Sequence, residues 1–386
     1  MVCTDPDVNK YLLSSENKGI FPGYPRSFSE MVGKWNPANL LGSEHKSMRS
    51  SFLSLVNTQA IKEMLLPKTD VFMQSYVSNW SDKILDFQKT SNEVLMRLVL
   101  KLVASKEENS KELEELMHQV SLSLFTPAIS FPGTTYNKSH KARRKLVQML
   151  GKIIEERKAS KCSRNNDVLD TLLRYSEDSN SVIQTDEQII DHMISFVLSG
   201  YETASTILMM AVKYLHDHPH AQDELRKENL EIRKGKPEDY KINWDDYKSM
   251  SFTRAVVLET LRMASLGLGF LRRTTVDTEI KGYIIPKGWK IFVCAAETSK
   301  DPDTYPEPLK FNPWRWLSNM ESHQYFMLFG GGARVCAGKE VGILEVSMFL
   351  HYLVTRYRWE EVGENKIVSF PRVEAPNGLY YRLHNC

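Results

Sequence analysis

The chain has 386 residues, 42% of them hydrophobic and 25% charged, enough to bury a sizeable core. A net charge of +2 and a pI near 8.1 give no electrostatic case for binding nucleic acid. Five cysteines, Cys3, Cys162, Cys294, Cys336 and Cys386, are an odd number with no Cys-x-x-Cys pair, a pattern that fits a reducing compartment. The sequons at Asn79 and Asn137 would go unused there. No repeat, low-complexity tract or Gly/Ser-rich linker interrupts residues 1–386, so they read as one domain. No run of about 18 uninterrupted apolar residues and no signal peptide is present.

In chain order, His45-Lys46-Ser47-Met48-Arg49 reads as helix, with His45 and Arg49 one turn apart and presenting two donors to one spot. Helices follow near Val71–Gln88, Lys111–Leu124 and His140–Ala159, the last opened by the basic run Lys138–Lys145, a solvated face. The longest apolar helix spans Thr185–His216 and contains Ser199-Gly200-Tyr201-Glu202-Thr203. One hydroxyl and one carboxyl on an otherwise apolar helix suit delivery of protons to a dry site, so Glu202 and Thr203 are the catalytic candidates. Thr203 can also bond back to the Ser199 carbonyl, which is its plain structural reading. After a helix at His220–Arg233, a further one from about Ser251 to Met263 carries Glu259-Thr260-Leu261-Arg262, where the i, i+3 spacing puts Glu259 and Arg262 on one face.

Strand signals come late: Val276–Tyr283, Lys290–Cys294 after the turn Ile285-Pro286-Lys287-Gly288, and then Tyr357–Trp359, Val368–Phe370 and Tyr380–Arg382. Helices with small segregated sheets predict an α+β, mainly α fold.

The most informative stretch is Phe329-Gly330-Gly331-Gly332-Ala333-Arg334-Val335-Cys336-Ala337-Gly338. Its glycines tolerate positive φ and allow close backbone approach. Residues Lys339–Leu350 read as a helix, so Cys336 lies near an N-terminus whose dipole favours a thiolate. Such a thiolate is the axial ligand type that promotes O–O cleavage.

The spacing Phe-x-x-Gly-x-Arg-x-Cys-x-Gly resembles the haem-binding loop of the cytochrome P450 family, whose fold has a long central helix over haem b and small sheets. The resemblance implies that Cys336 is the iron ligand and that Phe329, Gly332, Arg334 and Gly338 shape the loop, with Arg334 reaching a propionate. It makes Glu259, Arg262 and Arg315, from Pro313-Trp314-Arg315-Trp316, a structural triad. His45, where the family commonly has Trp, Arg49 and Arg272 become propionate contacts, with Arg273 an open alternative to Arg272. Gly200 would let the central helix pass close to the porphyrin. Electrons would come from NADPH through a cytochrome P450 reductase, and the family expectation is the cytosolic face of the endoplasmic reticulum membrane.

Phe21–Pro25, Ile129–Thr134, Ser199–Thr203, Met209–Pro219 and Phe370–Leu379 resemble plant brassinosteroid-6-oxidases within that family, over almost the whole chain. These enzymes oxidise C-6 of 6-deoxo brassinosteroids to the alcohol and then the ketone, so the expected substrate is a rigid hydroxylated steroid in an apolar pocket. Phe131, Leu198, Leu268, Phe270 and Leu379 are the expected walls. Oxidation of another sterol or triterpenoid, an isomerase of the same fold, and an inactive truncated fragment stay open. Val2-Cys3-Thr4-Asp5-Pro6 resembles the family only after its anchor, proline hinge and first strands. An incomplete first sheet and a soluble or peripheral chain are therefore expected.

Overall fold

The computed structural model describes residues 1–105, 110–160, 166–178, 181, 183, 185–266, 269–318, 321, 323–369 and 372–386. The helices are α1 Pro6–Ser14, α2 Arg26–Val32, α3 Gly42–Leu55, α4 Thr58–Ala60, α5 Leu66–Tyr76, α6 Phe87–Ala104, α7 Ser110–Ser121, α8 Thr135–Ala159, α9 Val168–Glu177, α10 Asp186–Asp217, α11 Pro219–Arg233, α12 Trp244–Ser249, α13 Ser251–Ala264, α14 Ala295–Thr298 and α15 Lys339–Arg356. The strands are β1 Val2–Cys3, β2 Ile20–Pro22, β3 Ile84–Asp86, β4 Phe270–Thr274, β5 Thr278–Ile280, β6 Tyr283–Ile285, β7 Lys290–Val293, β8 Tyr357–Glu361 and β9 Tyr380–Asn385. The fold is α+β and mainly α, as the order of elements predicts.

Two compact units divide the chain. One comprises Met1–Phe21, Ile61–Leu95 and Glu202–Cys386. Its core helix is α15, buried continuously from Ile343 to Val354 and packed by α5, α11 and α13. Its four-stranded sheet runs β1-β7-β4-β2, with β1 parallel to β7 and β4 antiparallel to it. A three-stranded sheet runs β3-β9-β8, and β5 pairs with β6 alone. Helix α1 starts where Asp5 accepts the Val8 N–H at 2.9 Å, and Leu12 and Leu13 face inward against Ile20, Ile291 and Val293.

The other unit comprises Pro22–Ala60 and Met96–Tyr201. Leu113, Met117 and Val120 on α7, and Leu146, Leu150 and Ile154 on α8, repeat at helical spacing and are buried where the two helices pack. Within the basic run that opens α8, Arg143 is not a solvated charge. It binds Asp191 of α10 at 2.6 Å and the Met31 carbonyl at 3.0 Å. Asp191 also accepts the Trp35 N–H at 3.1 Å, so one buried carboxylate ties α8, α10 and the loop after α2 together.

Several elements differ from expectation. The helix at Val71–Gln88 ends at Tyr76, Asp82 adopts φ 58°, and Ile84–Asp86 joins β9 as a strand, because pairing with a β-rich C-terminus outweighs local helix propensity. The single strand at Val276–Tyr283 is a hairpin, turned by Lys281 and Gly282 at φ 47° and 79°. Strand β4 and helix α6 lie outside the elements expected from the sequence. Val368 forms one bridge to Glu374 instead of opening a strand, while Phe370, Leu268 and Cys162 lie outside the described residues. Among the described residues the first sheet is an open one of four strands, β1 contributing two residues at one edge.

Candidate functional site

The cysteine loop is built by turns that need glycine. Gly330 and Gly332 take φ 78° and 64°, and Cys336 donates its N–H to the Phe329 carbonyl at 2.9 Å, closing the loop on itself. A Cβ on Gly332 would lie 2.4 Å from the Leu13 carbonyl oxygen, so the last turn of α1 presses directly on the loop. Gly330 sits against the Phe270 ring of β4. Cys336 is left exposed, two residues before Gly338, the N-cap of α15. At Gly338 nothing lies within 4 Å of a Cβ position. Past it, Lys339 and Arg254 clasp Glu321, and Arg254 also pairs with Glu340, tying the start of α15 to α13. Burial alone would raise Glu321, but its hydrogen bonds to Arg254 and Lys339 bring it down to about 2.

Arg334 points at a partner the sequence did not suggest. Its Nη2 and Nε meet the Glu16 carboxylate at 2.6 and 2.8 Å. Arg272 is 5% exposed while Arg273 faces solvent, because side chains alternate along β4, so of the two only Arg272 lies on the inward face.

The triad of the same unit is assembled. Glu259 Oε2 and Oε1 accept from Arg262 Nε at 2.9 Å and Nη2 at 2.8 Å, and Arg315 Nε reaches Oε1 at 3.1 Å. Two further donors come from the backbone N–H of Asn312 and the indole of Trp316. Arg262 spends its remaining donors on the carbonyls of Ser299, Pro308 and Lys310. The pair is fully buried, and every contact is charge-assisted, so it fixes the segment leading to the cysteine loop.

Helix α10 is buried almost all round between Ile189 and Leu215, except along one stripe where Phe196, Gly200 and Glu202 are half-buried and Ser199 and Thr203 are exposed. Thr203 makes no back-bond to Ser199 among the described residues; Ser205 and Thr206 take the Glu202 carbonyl instead, each at 3.0 Å. Its hydroxyl therefore stays on the open stripe. Glu202 keeps 36% of its side chain accessible, yet burial pushes its carboxyl up, with Arg372 at 3.8 Å opposing the rise. At Gly200 the missing Cβ is explained by packing: it would come within 3.2 Å of both Val99 methyls. Close approach at Gly200 is thus to α6.

In the other unit His45 is buried and Arg49 half-buried on the inward face of α3 with Met48 and Phe52. Of the expected pocket walls, Leu198 and Leu379 are buried at 4% and 0% exposure, and Phe131 stands 68% exposed in the loop before α8. Leu268 lies outside the described residues.

An exposed thiol, held in a glycine-built loop ahead of a helix N-terminus and backed by a buried charge network, is what a haem-thiolate ligand requires. Residues 46–378 match the family described as Cytochrome P450. The chain belongs to the cytochrome P450 family. Cytochrome P450 85A1 of Brachypodium distachyon is 49% identical over 389 residues, covering 100% of this chain and 83% of the relative. The 3-epi-6-deoxocathasterone 23-monooxygenase CYP90C1 of Arabidopsis thaliana is 34% identical, covering 99% and 75%. The solved structure of retinoic acid-bound cyanobacterial CYP120A1 superposes with a TM-score of 0.90 at 25% identity, covering 100% of this chain and 89% of that one. This P450 is a monooxygenase of the haem-thiolate type. Among its described helices α10 alone is long and apolar enough to cross a membrane, and 67% of its apolar window is buried in the protein.

Proposed function

We propose that this P450 oxidises C-6 of 6-deoxo brassinosteroids, with Cys336 as the iron ligand. The observation that carries the reading is likeness to Cytochrome P450 85A1 over the whole of this chain and 83% of the relative, at 49% identity, together with the exposed, loop-held thiol. The name of CYP90C1 supplies a 6-deoxo steroid as that relative's substrate. Electrons come from NADPH through a reductase, and the site of action is the cytosolic face of the endoplasmic reticulum.

Haem b fits the donor set: a thiol outside any disulfide, an inward Arg272 and an Arg334 two residues from the cysteine. When bound, it supplies reductive activation of dioxygen and insertion of one oxygen atom into a C–H bond. The protein's own part is positional and protonic. Cys336 enters as thiolate, favoured by the dipole of α15. Arg272 and Arg334 supply cationic edges for carboxylates; His45 and Arg49 offer donors on the inward face of α3. Burial raises the Glu202 carboxyl and so favours its protonated form, and Thr203 passes the proton on from the open stripe of α10.

Incubating the haem-loaded chain with reductase, NADPH and a 6-deoxo steroid should yield the C-6 alcohol and then the ketone. Consumption of another sterol or triterpenoid, with 6-deoxo steroids untouched, would replace the substrate and keep the chemistry. The Cys336→Ser protein should lack the red-shifted ferrous carbonyl band of haem-thiolate proteins.

A further inference from the structure

Glu16 lies in the 3-10 turn Glu16–Lys18 that follows α1, and Arg334 two residues before Cys336. Their contact is side-on: Nη2 to Oε1 at 2.6 Å and Nε to Oε2 at 2.8 Å, with the arginine and glutamate side chains only 11% and 15% exposed. A fork-to-fork pair fixes the plane of the guanidinium as well as its position, which a single-point contact does not. The contact uses the Nε and Nη2 edge of the guanidinium.

The pair is part of a larger bracket. The Leu13 carbonyl presses on Gly332, Gly331 packs on the Leu13 side chain, and the Tyr325 hydroxyl donates to Asp7 at 2.5 Å. Helix α1 thus braces the cysteine loop with its last turn and the segment leading into it with its first. Bracing alone needs no charge, and Leu13 already provides it. A carboxylate at this spot adds something else: it sets the direction of the arginine nearest the ligand cysteine and cancels its charge where solvent screens poorly.

We propose that Glu16 is a positioning residue for the haem edge. It orients Arg334 toward a haem carboxylate and, by offsetting that cation, holds the iron's reduction potential down. The inference rests on Cys336 as the haem ligand.

The test uses the full, haem-loaded chain and three variants, read by ferrous carbonyl spectrum, redox titration, transfer of haem to excess apomyoglobin and thermal unfolding. Glu16→Gln should keep the red-shifted band, move the midpoint potential positive, because removing a nearby anion makes the reduced iron less unfavourable, and release haem about tenfold faster, as for one lost charge-assisted contact. Arg334→Lys keeps both charges and loses the fork, so haem should leave faster with the potential close to the parent value. An unmoved potential in Glu16→Gln overturns the electrostatic part, and an unchanged rate of haem loss overturns the positioning part. A lowered unfolding temperature as the only change makes Glu16 a fold staple and also overturns the proposal. If Glu16→Gln does not fold, Arg334→Lys decides: parent-like haem release refutes positioning. A red-shifted band surviving in Cys336→Ser refutes the ligand assignment beneath the proposal, independently of Glu16.

Discussion

The indole N–H of Trp316 donates to Oε2 of Glu259 at 2.8 Å, completing a set of donors around a carboxylate with no solvent access. Arg262 supplies two of those donors, Arg315 one and the Asn312 backbone one. Trp316→Phe removes a single donor and should cost about 1–2 kcal/mol in denaturant unfolding. Glu259→Ala leaves Arg262 buried without its counter-charge and should cost about 3–5 kcal/mol, or prevent folding. Equal losses in the two variants would mean that the carboxylate is not the hub.

Thr203→Ala should leave haem content and substrate affinity intact while lowering product formed per NADPH, the balance appearing as hydrogen peroxide. Thr203→Ser should recover most of the coupling, since the hydroxyl and not the methyl sits on the relay. Glu202→Gln should uncouple in the same direction. Parent-like coupling in both Thr203→Ala and Glu202→Gln removes the pair from the mechanism.

Burial holds His192 down to about 4 and His351 to about 3, against an ordinary value near 6.5. Both are neutral in the folded protein, whereas the unfolded chain takes up two protons as the pH falls below about 6.5. Stability is therefore full above that value and is lost on acidification, by up to about 2.7 kcal/mol per pH unit for the two together. Glu321 adds a second loss below about 4.5 that continues toward 2. Denaturant titrations of the parent and His192→Leu at pH 7, 6 and 5 isolate the histidine part, because buried Glu345, raised to about 8, opposes it equally in both proteins; equal slopes would show that His192 is not protected. His192→Leu should lower the slope by about 1.4 kcal/mol per pH unit, since His192 has no hydrogen bond to lose among the described residues.

Gly332→Ala combines φ 64° with a Cβ placed 2.4 Å from a backbone oxygen that cannot rotate away. The variant should express with greatly reduced haem occupancy and a lower unfolding temperature. Gly338→Ala, with open space around it, should retain most of its haem. The ratio of haem to protein absorbance distinguishes the two, and equal retention would show that the α1 contact does not shape the loop.

Local spacing made much of this legible. Glu259 and Arg262 are three residues apart on one helix, and the glycines around Cys336 advertise their turns. Helix α10 is apolar enough to be recognised from its period alone. What escaped the sequence depends on residues far apart. Glu16 meets Arg334 across 318 positions, and nothing about an isolated Glu in a short polar stretch indicates it. Trp316 looked like an ordinary aromatic until its N–H found an acceptor. Leu198 and Leu379 have the right chemistry for a pocket wall, but apolar side chains do not reveal which apolar surface they face. The choice between Arg272 and Arg273 needed the strand register, because adjacent residues on a strand point to opposite faces.

The bracket that α1 forms behind the cysteine loop also has a schedule. Asp7 and Glu16 are synthesised long before Tyr325 and Arg334, their partners 318 positions downstream, and β1 waits as long for β7. Through most of translation, then, a short amphipathic helix and two strand edges have no native partner, and contacts of such long range form late in folding. A ribosome stalled before Phe329 would carry most of the helices and none of the cysteine loop. Assembly of the bracket behind the cysteine loop is thereby coupled to completion of the polypeptide.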